Sequence, residues 1–174
     1  MWRRQERRAE WLLRRVAVEL PVPLTVQSLI AALEAARDRP IQLVAMTSQT
    51  STLPCGLWVA TPETDYVLYS RATSMVLEVQ TLLHELMHMA LDHIGSPVID
   101  GAGGVMAEVF SVEGVDSVMA RSPRTYDQQQ ERDAEVVATY LGARLDGLGD
   151  VVNVAGLHED AAAVVYRIAA ALTD

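Results

Sequence analysis

The chain has no lysine: all 14 of its basic residues are arginine. That usage reads as the codon bias of a GC-rich genome and says nothing of function. Cysteine is nearly absent as well. Cys55 stands alone, which excludes an intrachain disulfide and suits a reducing compartment. Long apolar runs are missing. No stretch approaches the ~20 residues of a membrane span, and Arg167 interrupts the apolar segment 161–172. The opening residues, MWRRQERRAEWLLRR, lack the apolar core and small-residue cleavage site of a secretory signal. A cytoplasmic location without membrane contact is the expectation.

Positive charge is scarce against 23 acidic residues, leaving a net charge of −9 and a pI near 4.8. That balance excludes a broad basic surface, so direct nucleic-acid binding is not expected. Six of the arginines crowd into residues 1–15, where only Glu6 and Glu10 oppose them. The plain reading is a solvated helix face. The sharper one is a docking arm for an acidic partner or nucleic acid. With 50% hydrophobic residues, the 174-residue chain has material for one cored domain over residues 1–174.

Apolar periodicity predicts a helix over 2–19, with Trp2, Trp11, Leu12 and Val16 as its inner side, stopped by Pro21 and Pro23. A second helix is expected over 26–38 behind an N-cap at Thr25, with the stripe Leu29, Ile30, Leu33 and Ala36. Three short strands follow at Ile41–Met46, Leu57–Ala60 and Tyr66–Tyr69. The last two flank Pro62-Glu63-Thr64-Asp65 and read as a hairpin. Cys55 stands at the mouth of this unit as a packing residue. A long helix then runs from about Thr73 to His93, ended by Gly95 and Pro97. Leu82, Leu83, Leu86, Met89 and Ala90 are its core positions. Residues 94–124 carry few signals beyond Gly101, Gly103, Gly104 and Ser122-Pro123, with short structure expected near 105–110 and 115–120. A helix from Thr125 or Tyr126 to about Leu145 and a last one over 158–172 complete the chain.

The stretch with chemistry is His84-Glu85-Leu86-Met87-His88, an HExxH motif. Residues four apart share a helix face, so two imidazoles can bind one metal ion. Glu85 beside them can serve as a base toward a water. Catalytic zinc takes three protein ligands and keeps a position open, so a third ligand is needed. His93 is one position early for the long metzincin spacing, which would place glycine at Leu91 and histidine at Ile94. It reads instead as a cap on the helix end. Glu131 fits better. It begins Glu131-Arg132-Asp133-Ala134-Glu135, where Glu131 and Glu135 share a face and Ala134 allows close helix approach. Glu108 and Glu113 are fallback ligands.

The pair HELMHMALDH and ERDAEVVATYL resembles the ImmA/IrrE metallopeptidase family, over roughly residues 25–145. The matching positions are His84, Glu85, His88 and His93, then Glu131, Ala134, Glu135 and Ala138. Met87 replaces a usual glycine, Glu135 a usual Asn or Asp, and Val137 a common phenylalanine. The resemblance implies an α+β, zincin-like fold, mostly helical, with a small antiparallel or mixed three-stranded sheet packed on the HExxH helix. It implies a gluzincin-type site: Zn2+ held by His84, His88 and Glu131, Glu85 as general base, and Glu135 holding a ligand histidine by its other ring nitrogen. Tyr126, His93 and His158 are candidate oxyanion donors, and the residues do not choose among them. The implied activity is hydrolysis of a protein partner, such as a helix-turn-helix regulator. The rival expectation is a stoichiometric binder or toxin–antitoxin-like component whose metal is structural.

Overall fold

In a computed structural model of the chain, residues 2–46, 56–60, 63–70, 74–93 and 128–147 are described. Four helices and three strands occupy them: α1 (Trp2–Arg15), α2 (Val26–Arg37), β1 (Ile41–Met46), β2 (Gly56–Ala60), β3 (Asp65–Ser70), α3 (Met75–Ala90) and α4 (Gln128–Gly142). The expected helix over 158–172, the short structure near 105–110 and 115–120, Gly95, Pro97 and Cys55 lie outside the described residues.

The sheet has the order β1-β3-β2. The β2–β3 pair is the expected antiparallel hairpin, with Trp58 opposite Val67. β1 runs parallel to β3, with Leu43 opposite Val67, so the sheet is mixed and the wholly antiparallel alternative does not hold. The hairpin follows from a local turn, whereas the direction of β1 depends on a pairing across more than twenty residues. The central strand is buried from Asp65 to Tyr69, as both-sided covering demands.

α3 lies against β3 and β2, and its other flank meets α4; α1 packs on the far side of α4. The five expected core positions of α3, together with Val79 and Met87, are all buried. Ala134, Val137, Ala138 and Leu141 form the α4 stripe that enters this core. Asp133 and Tyr140, on another face of α4, meet α1. Arg8 donates to both Asp133 oxygens at 3.1 and 2.8 Å, and Tyr140 to Glu10 at 3.4 Å.

Helix ends differ from the sequence expectation in ways the local chemistry explains. α1 stops at Arg15 and not at residue 19, because Ala17 turns left-handed (φ 54°) and carries Val18 into the core. Trp11 is not an inner residue. It is 42% exposed, with the guanidinium groups of Arg8 and Arg15 at 4.8 and 4.9 Å from its ring centroid. Leu12 is buried as expected and Val16 partly so, and Ala9 and Leu13 complete the inner face in place of Trp11. α2 begins at the expected Thr25 cap, where the Thr25 side chain accepts from the Ser28 amide at 3.0 Å and Ser28 Oγ from the Thr25 amide at 2.9 Å. Val26, Leu29 and Leu33 are buried and Ile30 packs partly buried against the core, while Ala36 is exposed. α3 ends at Ala90, before His93, and α4 ends at Gly142.

One buried carboxylate ties the sheet to two helices. Asp65 is fully buried and accepts from Arg37 Nε at 2.8 Å, Trp58 Nε1 at 3.0 Å and Arg39 Nη1 at 3.4 Å. Arg37 also donates from Nη1 to the Met89 carbonyl at 2.9 Å. This contact fixes the last turn of α3 one residue beyond His88.

Candidate metal centre

α3 turns by about 100° per residue, so His84 and His88 face α4 while Glu85 points to the sheet. The two Nε2 atoms are 3.0 Å apart, with ring centroids at 4.6 Å. α4 runs opposite to α3. Gly142 lies by Gln80 and Leu83, and Glu131, eleven positions earlier, reaches the histidine pair. Each Glu131 oxygen meets one imidazole: Oε2 is 3.5 Å from His84 Nε2, and Oε1 is 3.5 Å from His88 Nε2.

His84, His88 and Glu131 therefore form a group that could hold a metal ion. The two Nε2 atoms lie 3.0 Å apart and each is 3.5 Å from a different Glu131 oxygen, and one donor atom from each of the three residues lies within 4.8 Å of the other two. Tetrahedral zinc at about 2.0–2.1 Å from each ligand spaces its donors roughly 3.3–3.4 Å apart. The Nε2–Nε2 spacing and the spacing of each imidazole to its own Glu131 oxygen lie within a few tenths of an ångström of that requirement. Glu131 Oε1 is buried and makes no hydrogen bond among the described residues, as a donor atom awaiting a cation would be. Two imidazoles suit zinc and other transition metals, not the all-oxygen shells of calcium or magnesium.

The surrounding charges point the same way. Burial raises the Glu85 carboxyl to about 8, and the negative charge of Glu131 adds to the effect. Burial also raises Glu131; His84 opposes this shift and Glu135 reinforces it. Glu131 and Glu135 beside the two imidazoles, with Glu85 near enough to Glu131 to feel its charge, favour a cation there.

Glu85 Oε2 is buried and has no hydrogen-bond partner among the described residues. Its neighbour across the sheet is Gly56, the first residue of β2. A Cβ built on Gly56 would overlap Glu85 Cγ, Cδ and Oε1. Only a residue without a side chain lets β2 pass this close, a requirement the sequence does not announce.

Glu135 lies one turn after Glu131, with Oε2 at 3.5 Å from His84 Nδ1, on the ring nitrogen away from the donor triangle. His93 does not join the triangle. It is buried, and its Nδ1 lies 3.0 Å from His88 Nδ1. Its expected role at the helix end is filled by its backbone, since the His93 amide donates to the His88 carbonyl at 3.1 Å. Tyr126, His158, Glu108 and Glu113 lie outside the described residues. Sequence reasoning missed Asp65 and Asp133, the buried acids that anchor α3 and α4, and Gly56. Asp133 had a faint signal: it sits between two site carboxylates yet points a different way round the helix.

A scan against protein-family models finds no match, and a search of curated proteins finds none either. The functional reading therefore rests on the site and on the resemblance of its two motif segments. Among the described residues, no helix is long and apolar enough to cross a membrane.

Proposed function

We propose that this chain is a zinc-dependent endopeptidase. The observation that carries the reading is the donor triangle of His84, His88 and Glu131, with the buried carboxylate of Glu85 set between the two histidines in sequence and facing β2. Zinc bound there would supply a Lewis acid that polarises a carbonyl and acidifies a water. His84 and His88 would hold such an ion through Nε2, and Glu131 would supply the carboxylate ligand.

Glu85 is the general base. Its burial raises its proton affinity, which suits a group that must take a proton from water near neutral pH and return it to a leaving amine. Gly56 leaves the carboxylate its room. β2 is an edge strand that pairs with β3 alone among the described residues, and its first residue touches Glu85. An extended peptide added along that edge would lie beside the base, held by main-chain hydrogen bonds that read little sequence.

The partner class follows from the resemblance: a regulatory protein such as a helix-turn-helix repressor. The test has two parts. Elemental analysis should find one zinc per chain, lost in Glu131→Ala. Co-expression with the candidate repressor should yield fragments with the wild type and none with Glu85→Gln. Partner capture without fragments would favour the stoichiometric reading, and undiminished cleavage by Glu85→Gln would remove Glu85 from catalysis.

A further inference from the structure

We propose that His93 is a positioning residue for the metal site: its Nδ1 accepts the Nδ1 proton of His88 and thereby fixes His88 with the Nε2 lone pair turned to the donor triangle. This rests on the metal reading above and adds a residue to it.

The geometry leaves one usable direction for this hydrogen bond. The two Nδ1 atoms are 3.0 Å apart, and the rings meet edge to face at 72° with centroids at 5.0 Å. One nitrogen must donate and the other accept. If His93 donated, His88 Nδ1 would be the acceptor and its proton would sit on Nε2, where no lone pair would remain for a metal. A metal-competent His88 therefore carries its proton on Nδ1, and His93 carries its own on Nε2.

The backbone holds His93 in place for this role. Asp92 adopts a left-handed conformation (φ 52°) and folds the chain back after α3. The His93 amide closes on the His88 carbonyl, and Arg37 holds the Met89 carbonyl from outside. The same six-residue unit, His88 to His93, thus supplies a ligand and the group that orients it. The two ligand histidines have different neighbours at Nδ1: His84 the carboxylate of Glu135 on another helix at 3.5 Å, His88 the buried imidazole of His93 on its own chain turn at 3.0 Å. An imidazole acceptor brings no carboxylate to a centre that already has Glu131 and Glu135 beside the imidazoles and Glu85 near Glu131, where a fourth carboxylate would add repulsion.

The test is zinc competition against a chromophoric chelator for wild type, His93→Leu and His93→Gln, with circular dichroism to confirm folding. His93→Leu keeps bulk and loses the acceptor, and should bind zinc about 10–100-fold more weakly, the usual loss when the partner of a ligand histidine is removed. His93→Gln offers an amide oxygen to the same proton and should regain most of that affinity, which a packing role alone would not give. Long-range proton–nitrogen NMR of the zinc-loaded wild type supplies a reading independent of both variants. It should show His88 protonated at Nδ1 and His93 at Nε2. Wild-type affinity in a folded His93→Leu, or a His93 proton on Nδ1, overturns the inference alone. A wild-type chain that binds no zinc overturns the metal reading and this inference with it.

Discussion

Replacing Glu85 by glutamine should stabilise the metal-free chain at neutral and alkaline pH, although it removes the proposed catalytic base. Glu85 is buried, its Oε2 has no hydrogen-bond partner among the described residues, and Glu131 is close enough to repel its charge. Its carboxyl is raised from the usual 4.5 to about 8. Between those two pH values the unfolded chain has released this proton while the folded chain keeps it. The folded state then binds more protons than the unfolded state, so stability falls as pH rises through the window and levels off above about pH 8. At about 1.4 kcal/mol per pH unit the whole window is worth at most about 5 kcal/mol. Water entering the opened site would relieve part of it, leaving a difference of about 2–5 kcal/mol.

Glutamine has the same shape and no proton to lose, so this slope disappears in Glu85→Gln. Urea unfolding of both proteins in the presence of a chelator, at pH 5, 7 and 9, measures the effect. Near pH 5 the two midpoints should be close; at pH 9 the variant should unfold at the higher urea concentration. Parallel profiles across the range would refute the reasoning, because they would show that Glu85 is solvated or already paired. Zinc added to the wild type should flatten its profile, since a nearby cation favours the ionised carboxylate.

Gly56→Ala should still bind zinc but lose cleavage, because the added methyl overlaps the Glu85 side chain; thermal unfolding should show an overpacking cost of about 1–3 kcal/mol, and wild-type activity would mean that Glu85 works from elsewhere. Asp65→Ala leaves Arg37 facing a buried void and should cost about 3–5 kcal/mol in urea unfolding; an unchanged midpoint would remove Asp65 from the anchoring of α3. Glu135→Ala should hold zinc with about 10–100-fold lower affinity. Identical affinity would make Glu135 a solvated helix residue, and complete loss would make it the third ligand in place of Glu131.

What was legible in the sequence was local or periodic. The Thr25 cap, the β2–β3 hairpin and the apolar stripe of α3 each depend on residues a few positions apart, and each is found where the pattern places it. The spacing of His84 and His88, and of Glu131 and Glu135, fixes which side chains share a face, and the two faces do meet. What escaped depends on distant partners. Trp11 reads as core by hydropathy, yet Arg8 and Arg15 cover its ring at the surface. Asp65 collects donors from the end of α2, the segment after it and β2, which no single stretch of sequence displays. The ring of His93 finds His88 only because Asp92 takes a backbone conformation that its residue type does not require.

The clasp between α1 and α4 has a consequence for how the protein is made. Arg8 and Asp133 are 125 positions apart, and Leu24 and Asp146, which also bond, 122 apart. At synthesis rates of about 5–20 residues per second, α1 would leave the ribosome roughly 6–25 s before its partner exists. During that interval Leu12 and Leu13 have no α4 to cover them, and α3 carries two histidines without Glu131. The nascent chain can therefore hold the HExxH segment for seconds without a complete metal centre, and the site closes only when the last described helix emerges and docks on the first.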